Sequence, residues 1–229
     1  MRSDARVSWS VRGATAIAAA YACAATHAAA LHVNVVDDRG RPVEGVAVYA
    51  EPSAVSAAAP VAHAHAPPPA EMDQANNEFV PHVLVVEQGT EVLFPNNDSV
   101  SHHVYSFSPA KPIEHALYKG NVHPPLIFDR AGVNVLGCNI HDGMLGYIVV
   151  VATPHFAQTD AEGRAALAGL PPGDYRVSVW TPRLRGDDLP AQRTITVGAD
   201  DAALTFDLEG KLLPRHDHGG GSGLSWQRY

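Results

Sequence analysis

Three side chains with soft or borderline donor atoms recur at three-residue steps in one short segment of the chain. Cys138, His141 and Met144 stand in the order Cys-x2-His-x2-Met, and Gly143 and the strand-like sequences on both sides indicate a loop. A thiolate, an imidazole and a thioether together suit copper, and two His and one Cys with a weak axial Met form the blue-copper arrangement. The loop lacks the second His, which must come from elsewhere in the chain.

A second His is available after a polar turn earlier in the chain. Residues 91–94 have the pattern of a strand, residues 96–101 are rich in Asn, Asp and Ser, and His102 and His103 follow where the next strand begins. Because side chains alternate along a strand, only one of the two can face the metal. Zinc is the rival metal, but a thioether is a poor zinc ligand and structural zinc sites use four Cys or His donors.

The first thirty residues are typical of a secretory leader rather than of a folded domain. Three Arg residues come first, residues 14–25 are apolar and rich in Ala, and residues 28–30 offer small side chains for cleavage. We therefore predict a signal peptide over residues 1–30 and a periplasmic mature protein. No later segment reaches the length of a transmembrane helix.

The predicted mature chain is acidic and holds a single thiol. Removal of the leader takes away three Arg and one Asp, so the formal net charge changes from −8 to −10. Such a surface disfavours nucleic acid and suits a partner with a basic docking face. Cys23 lies in the leader, where the nearby Tyr21 makes a poor lipidation signal. Cys138 is then the only thiol in an oxidising compartment: it is buried, paired between molecules or bound to a metal, and its neighbours favour the metal.

The rest of the chain has the alternating pattern of an all-β protein. Apolar and polar residues alternate over residues 31–35, 175–179 and 204–208, and Gly, Pro, Asn and Asp form the turns between such segments. Residues 53–71 are rich in Ala and Pro and predict an extended linker, and residues 211–229 predict a disordered tail. Three aromatic residues are expected in a core or between sheets: Tyr105, Phe107 and Trp180. For Trp180, an interface between two β-sandwiches is the alternative.

Residues 72–154 resemble the cupredoxin family, which includes plastocyanin and amicyanin. Asn96 precedes His102 by six positions, as in the first ligand segment of that family, and the Cys-x2-His-x2-Met spacing is that of amicyanin. The resemblance implies a Greek-key β-sandwich and selects His102 over His103 as the first ligand. It implies one type 1 copper ion with four ligands: His102, Cys138, His141 and Met144. More narrowly, the sequence is similar to cupredoxin-containing proteins of the methylamine utilisation family, a label that implies no link to amine metabolism.

The segments on both sides of this region resemble the two halves of another β-sandwich. Pro-Val-x-Gly at residues 42–45, Thr-Asp-x-x-Gly at 159–163 and Leu-Pro-x-Gly-x-Tyr at 170–175 are similar to motifs of carboxypeptidase regulatory-like, transthyretin-type domains. The resemblance implies that residues 31–52 and 155–210 form one discontinuous sandwich that carries the copper domain as an insertion. Such insertions are tolerated where the chain ends of the host lie close together. Three sequential β pieces are the alternative.

A carrier of single electrons is the function that these features favour. The chain has no nucleophile motif, phosphate loop or zinc-protease helix, so we do not expect an enzyme. The expected partner is a periplasmic redox protein such as a c-type cytochrome or a dehydrogenase. Gly137 stands where plastocyanin has Tyr, which favours electron exit through His141.

Two other functions remain open from the sequence. A copper-handling protein (chaperone, store or sensor) is supported by the His-x-His pairs at residues 63–65 and 216–218. An adhesion or polysaccharide-binding module would rest on the outer sandwich alone. The first alternative predicts ready transfer of Cu(I) to a chelator, and the second predicts a partner that binds the metal-free protein equally well.

Overall fold

The computed structural model of the protein describes residues 29–53, 66–185, 190–208, 210 and 212–213, and every regular element among them is a β-strand. This confirms the predicted all-β class. Within the same residues, no helix is long and apolar enough to cross a membrane. Both His-x-His pairs, nearly all of the predicted signal peptide and most of the predicted linker and tail lie outside the described residues.

The strands are numbered in chain order. They are β1 (Ala29–Val36), β2 (Ala47–Pro52), β3 (Ala70–Glu71), β4 (Asp73–Ala75), β5 (Glu78–Val80), β6 (Val83–Glu87), β7 (Thr90–Leu93), β8 (His102–Ser106), β9 (Ile113–Tyr118), β10 (Leu126–Phe128), β11 (Gly132–Gly137), β12 (Leu145–Val151), β13 (Phe156–Gln158), β14 (Arg164–Leu170), β15 (Gly173–Trp180), β16 (Ala191–Val197) and β17 (Ala202–Asp207).

Strands from both ends of the described chain form one two-sheet unit. β1 pairs antiparallel with β14 and parallel with β17, and the facing sheet has the order β13-β2-β15-β16. Alternate residues of β1 are buried, so Leu31 and Val33 join a core with Leu167 of β14, Val177 of β15 and Phe206 of β17. Segments before and after the intervening region therefore contribute to one hydrophobic core.

The intervening residues form a second two-sheet unit. Its sheets have the orders β6-β12-β11-β8-β9 and β10-β7-β3, and its core includes Phe94, Phe128, Leu136 and Ile148. β11 runs antiparallel to both β8 and β12. The start of β8, the end of β11 and the start of β12 consequently lie at the same end of the five-stranded sheet, and this end carries the predicted ligands.

A third apolar cluster joins the two units. Ala47 of β2 packs with Val83 of β6 and Val149 of β12, all of them buried. The rings of Tyr147 and Trp180 extend this cluster, with centroids 5.6 Å apart. Trp180 therefore lies where the two units meet, which is the alternative position that the sequence left open for it.

The aromatic side chains of β8 lie on the outer face of the sheet. Val104 and Ser106 are buried, so the alternation of the strand turns Tyr105 and the following Phe107 away from the core. Phe107 is 84% exposed, and its ring lies 5.2 Å from that of Tyr105. The expectation that Phe107 belongs to a core or an interface between sheets is wrong.

Ordered strands extend into segments that the sequence analysis assigned to the leader, linker and tail. Ala29 and Ala30 belong to β1, and Ala29 is buried in the first core. Strand β3 covers the last two residues of the predicted linker and pairs with β7. Leu212 forms an isolated bridge with Leu184. The composition of these segments did not indicate strands. Ala is small and only weakly apolar, so its burial in a sheet leaves no strong apolar pattern in the sequence.

Candidate metal centre

The structure brings two imidazoles and one thiol together at the shared end of β8, β11 and β12. His102 Nδ1 and His141 Nδ1 are 3.1 Å apart, and they lie 3.8 Å and 4.0 Å from Cys138 Sγ. Among the described residues, this is the group of three His, Cys, Asp or Glu side chains placed to hold a metal ion. The donors come from two segments separated by more than thirty residues.

The triangle formed by these three atoms has the size that a metal ion requires. The circle through the two nitrogens and the sulfur has a radius of about 2.1 Å, and imidazole nitrogen and thiolate sulfur bind a first-row metal such as zinc at about 2.0–2.3 Å. A point therefore exists at bonding distance from all three donors without movement of the chain. Soft sulfur and imidazole donors in a trigonal set suit copper.

Regular strands position two of the three donors. His102 is the first residue of β8 and is completely buried, and Cys138 directly follows β11 and is nearly so. His141 lies in the loop between β11 and β12 and is partly exposed. The triangle is therefore anchored in the sheet on one side and reaches the protein surface through a single imidazole.

Met144 lies at the inner edge of the same loop. It directly precedes β12, is buried, and belongs to the same apolar cluster as Cys138. Its backbone N–H donates to the carbonyl of His141 at 3.2 Å, and Gly143 between them adopts a φ of 85°. This left-handed conformation favours Gly and lets the loop turn back into the core.

The two adjacent His residues of β8 face different surroundings. His102 contacts Cys138, whereas the Nε2 atom of His103 lies 2.7 Å from Glu114 Oε1. The ring of His103 also lies beside Tyr105 on the outer face, with centroids 5.8 Å apart. The geometry thus places His102, and not His103, with the thiol.

Asn96 fastens the turn that leads into β8. Its buried side-chain amide donates to the carbonyls of Val100 at 3.0 Å and Tyr118 at 2.8 Å, and its Oδ1 accepts the N–H of Asp98 at 3.0 Å. These three bonds fix the turn against the end of β9. The position of Asn96 six residues before His102 is therefore explained by its role in holding this turn in place.

Asp98 is the site residue that the sequence analysis missed. Its Oδ2 atom lies 3.0 Å from His102 Nε2, on the side of the ring opposite the thiol. The pKa of Asp98 is held below its usual range, chiefly by the N–H of Asn77 and then by the bond to His102. An ionised carboxylate accepts hydrogen bonds only, so the proton of this bond is on Nε2, and in the neutral tautomer with that proton the lone pair is on Nδ1, which faces the triangle.

No family model and no curated protein matches the chain. Among solved structures, the chain is similar to a purple cupredoxin from Nitrosopumilus maritimus, with 23% identity over 36% of this chain and 99% of the other, at a TM-score of 0.32. It is similar to a reduced amicyanin variant, with 22% identity over 45% of this chain and 99% of the other, at a TM-score of 0.34. A copper-containing nitrite reductase from Thermus scotoductus SA-01 has 24% identity over 51% of this chain and 28% of the reductase, at a TM-score of 0.35.

Proposed function

We propose that this protein is a periplasmic, mononuclear type 1 copper protein that carries single electrons between redox partners and is not an enzyme. The observation that carries the proposal is the triangle of His102 Nδ1, Cys138 Sγ and His141 Nδ1, which fits one metal ion. Met144, buried in the same apolar cluster as Cys138, would supply the thioether that distinguishes a copper site from a zinc site. Bound copper supplies the one-electron couple between its cuprous and cupric states.

The protein residues divide between holding the site and connecting it to the surface. Strands β8 and β11 fix the positions of His102 and Cys138, so the ligand geometry changes little when the charge of the centre changes by one. The apolar side of the loop, with Met144 buried, keeps water from the sulfur ligands. His141, the partly exposed ligand, provides the short route for an electron to a docked partner.

The surface next to His141 suits a transient partner. Ile140, its neighbour in the loop, is 49% exposed. A small apolar surface of this kind, on a predicted mature chain whose formal net charge changes from −8 to −10 when three Arg and one Asp of the leader are removed, favours brief contact with a protein that has basic groups around its own redox centre. A c-type cytochrome or a periplasmic dehydrogenase belongs to the class of partner that we propose.

Visible and electron paramagnetic resonance spectra of the purified protein with one equivalent of Cu(II) test this function. We expect an intense thiolate-to-copper band that C138S abolishes. The adjacent His residues give a matched pair of variants: H102Q should remove the band, and H103Q should retain it because His103 faces Glu114. An ordinary cupric spectrum that does not respond to C138S contradicts a type 1 centre.

Voltammetry separates a carrier from a copper-handling protein. A carrier should give a reversible one-electron wave and keep its metal in both oxidation states. Loss of Cu(I) to a chelator on the timescale of the redox cycle would instead support a chaperone or a store. This measurement uses the full chain, because the His-x-His pairs at residues 63–65 and 216–218 are then present.

A further inference from the structure

The hydrogen bond behind His102 is more enclosed than an ordinary surface contact. The side chain of His102 is 0% exposed and that of Asp98 is 9% exposed, and their Nε2 and Oδ2 atoms are 3.0 Å apart. In so little solvent, an ionic hydrogen bond is screened weakly. Solvent therefore weakens the effect of this carboxylate on the imidazole less than it would at an exposed site.

Asp98 is itself held in place by backbone groups. Its Oδ2 accepts the N–H of Asn77 at 2.7 Å, and its Oδ1 accepts the N–H of Ser99 at 2.6 Å. Asn77 can present its N–H in this direction because Asn76 and Asn77 form the tight turn between β4 and β5, with φ values of 55° and 61°. The carboxylate cannot rotate away from His102 without breaking these bonds.

A second contact ties the same hairpin to the ligand turn. Asp73, in β4, accepts the backbone N–H of Asn97 at 3.3 Å and its side-chain amide at 3.1 Å. The hairpin of β4 and β5 therefore supports the turn at two adjacent residues, Asn97 and Asp98. A continuous set of hydrogen bonds runs from this hairpin through Asp98 to the far side of His102.

We propose that Asp98 is a positioning residue that fixes the ring and tautomer of His102 and biases the centre toward the cupric state, lowering its reduction potential. This inference rests on the proposed function. A carboxylate that accepts the remote N–H of a ligand imidazole raises the donor strength of the other nitrogen. Its negative charge also stabilises the more highly charged of the two oxidation states.

Glu114 provides an internal control for the charge of Asp98. Its Oε1 lies 2.7 Å from Nε2 of His103, the residue next to His102, but the Glu114 side chain is 70% exposed and His103 faces away from the thiol. The variants D98N and E114Q therefore remove the same charge from neighbouring carboxylate–histidine pairs. They differ in whether the histidine belongs to the metal centre.

The experiment compares wild type, D98N and E114Q by voltammetry and by Cu(II) and Cu(I) titration. We expect D98N to weaken Cu(II) binding about 10-fold or more, with a smaller effect on Cu(I). A tenfold difference between the oxidation states raises the one-electron potential by about 59 mV. E114Q should stay close to wild type. Equal potentials and affinities in D98N and E114Q overturn the proposal.

A measurement on metal-free protein tests the hydrogen bond apart from copper. Proton–nitrogen NMR of wild type should show a protected Nε2–H on His102, and D98A should lose this protection while H103Q retains it. Protection unchanged in D98A also overturns the proposal. If wild type forms no thiolate–copper band, the proposed function fails, and the bias toward the cupric state fails with it. If wild type forms the band and D98N matches E114Q, Asp98 alone has been assigned wrongly.

Discussion

The phenol ring of Tyr105 lies against the α-carbon of Gly137, the residue directly before Cys138. The two residues pair across β8 and β11, and a Cβ added to Gly137 would come within 2.6 Å of Tyr105 Cζ and Oη. The absence of a side chain at position 137 therefore has a local steric cause. The neighbouring strand fills this space with its own aromatic ring, on the outer face of the sheet.

Substitution of Gly137 by Ala should destabilise the protein because the new Cβ must displace the Tyr105 ring. Forcing extra atoms into a well-packed core costs about 1–3 kcal/mol. The clash here is with the outer end of a partly exposed ring that can shift, so we expect a loss in the free energy of unfolding of about 1 kcal/mol, the low end of this range. In a Y105A background the space is open, and G137A should be neutral or slightly stabilising, since Ala is preferred to Gly in a strand. Urea unfolding of the four proteins of this cycle measures the coupling. An equal loss in both backgrounds would show that the ring is not the obstacle.

The grouping of His102, Cys138 and His141 could be predicted from the sequence because their element types and spacing are specific. Cys138 and His141 lie in one loop, and the polar turn before His102 marks the start of the next strand. Their convergence depends on the pairing of β8 with β11, which the residue pattern does not specify. The structure therefore adds the register, and in it His102, which the cupredoxin resemblance already selects over His103, lies beside the thiol.

Two other positions show why local patterns were insufficient. Alternation along β8 was visible, but it does not reveal which of its two faces is the core, and Phe107 consequently proved to be exposed. Asp98 occurs in an Asn- and Asp-rich turn, where such residues usually form local bonds. Its bond to His102, four residues away, is local, but its bond to Asn77 arises because the hairpin of β4 and β5 folds over the turn. This contact between distant segments leaves no signal in a single sequence.

Thr159 links the two chain segments of the unit that contains β1, β2 and β13 to β17. Its hydroxyl group should be required for stability. Its buried Oγ1 accepts the N–H of Val46 at 2.9 Å and donates to the carbonyl of Val43 at 2.7 Å. The variant T159V keeps the shape but leaves two buried backbone groups unpaired, at a cost of about 1–3 kcal/mol for each. We expect urea unfolding to show a loss of at least about 2 kcal/mol.

The exposed Thr205 of β17 gives the control T205V, which should change stability by less than about 0.5 kcal/mol. Equal stabilities of the two variants would contradict this role.

His115 is a buried imidazole on β9 whose burial should make stability depend on pH. Its ring stacks on His123, with centroids 4.1 Å apart, and lies beside Phe94. Its Nε2 atom has no hydrogen-bond partner among the described residues. Desolvation first, and then the charges of His123 and His103, lower the pKa of His115 below 6.5.

Replacement of His115 by Phe should make the stability of the metal-free protein less dependent on pH. As the pH falls through the value of 6.5 that the unfolded chain has, the unfolded state binds a proton that the folded state still excludes. The stability contributed by neutral His115 is therefore complete above this pH and is lost progressively below it. H115F removes this contribution and keeps an aromatic ring against Phe94, so its free energy of unfolding should fall less than that of wild type between about pH 7.5 and pH 5. H123F should have an intermediate slope, because it removes one neighbouring charge and leaves the burial. Urea unfolding at the two pH values measures these slopes, and identical slopes for wild type and H115F would show that His115 is protonated equally in both states.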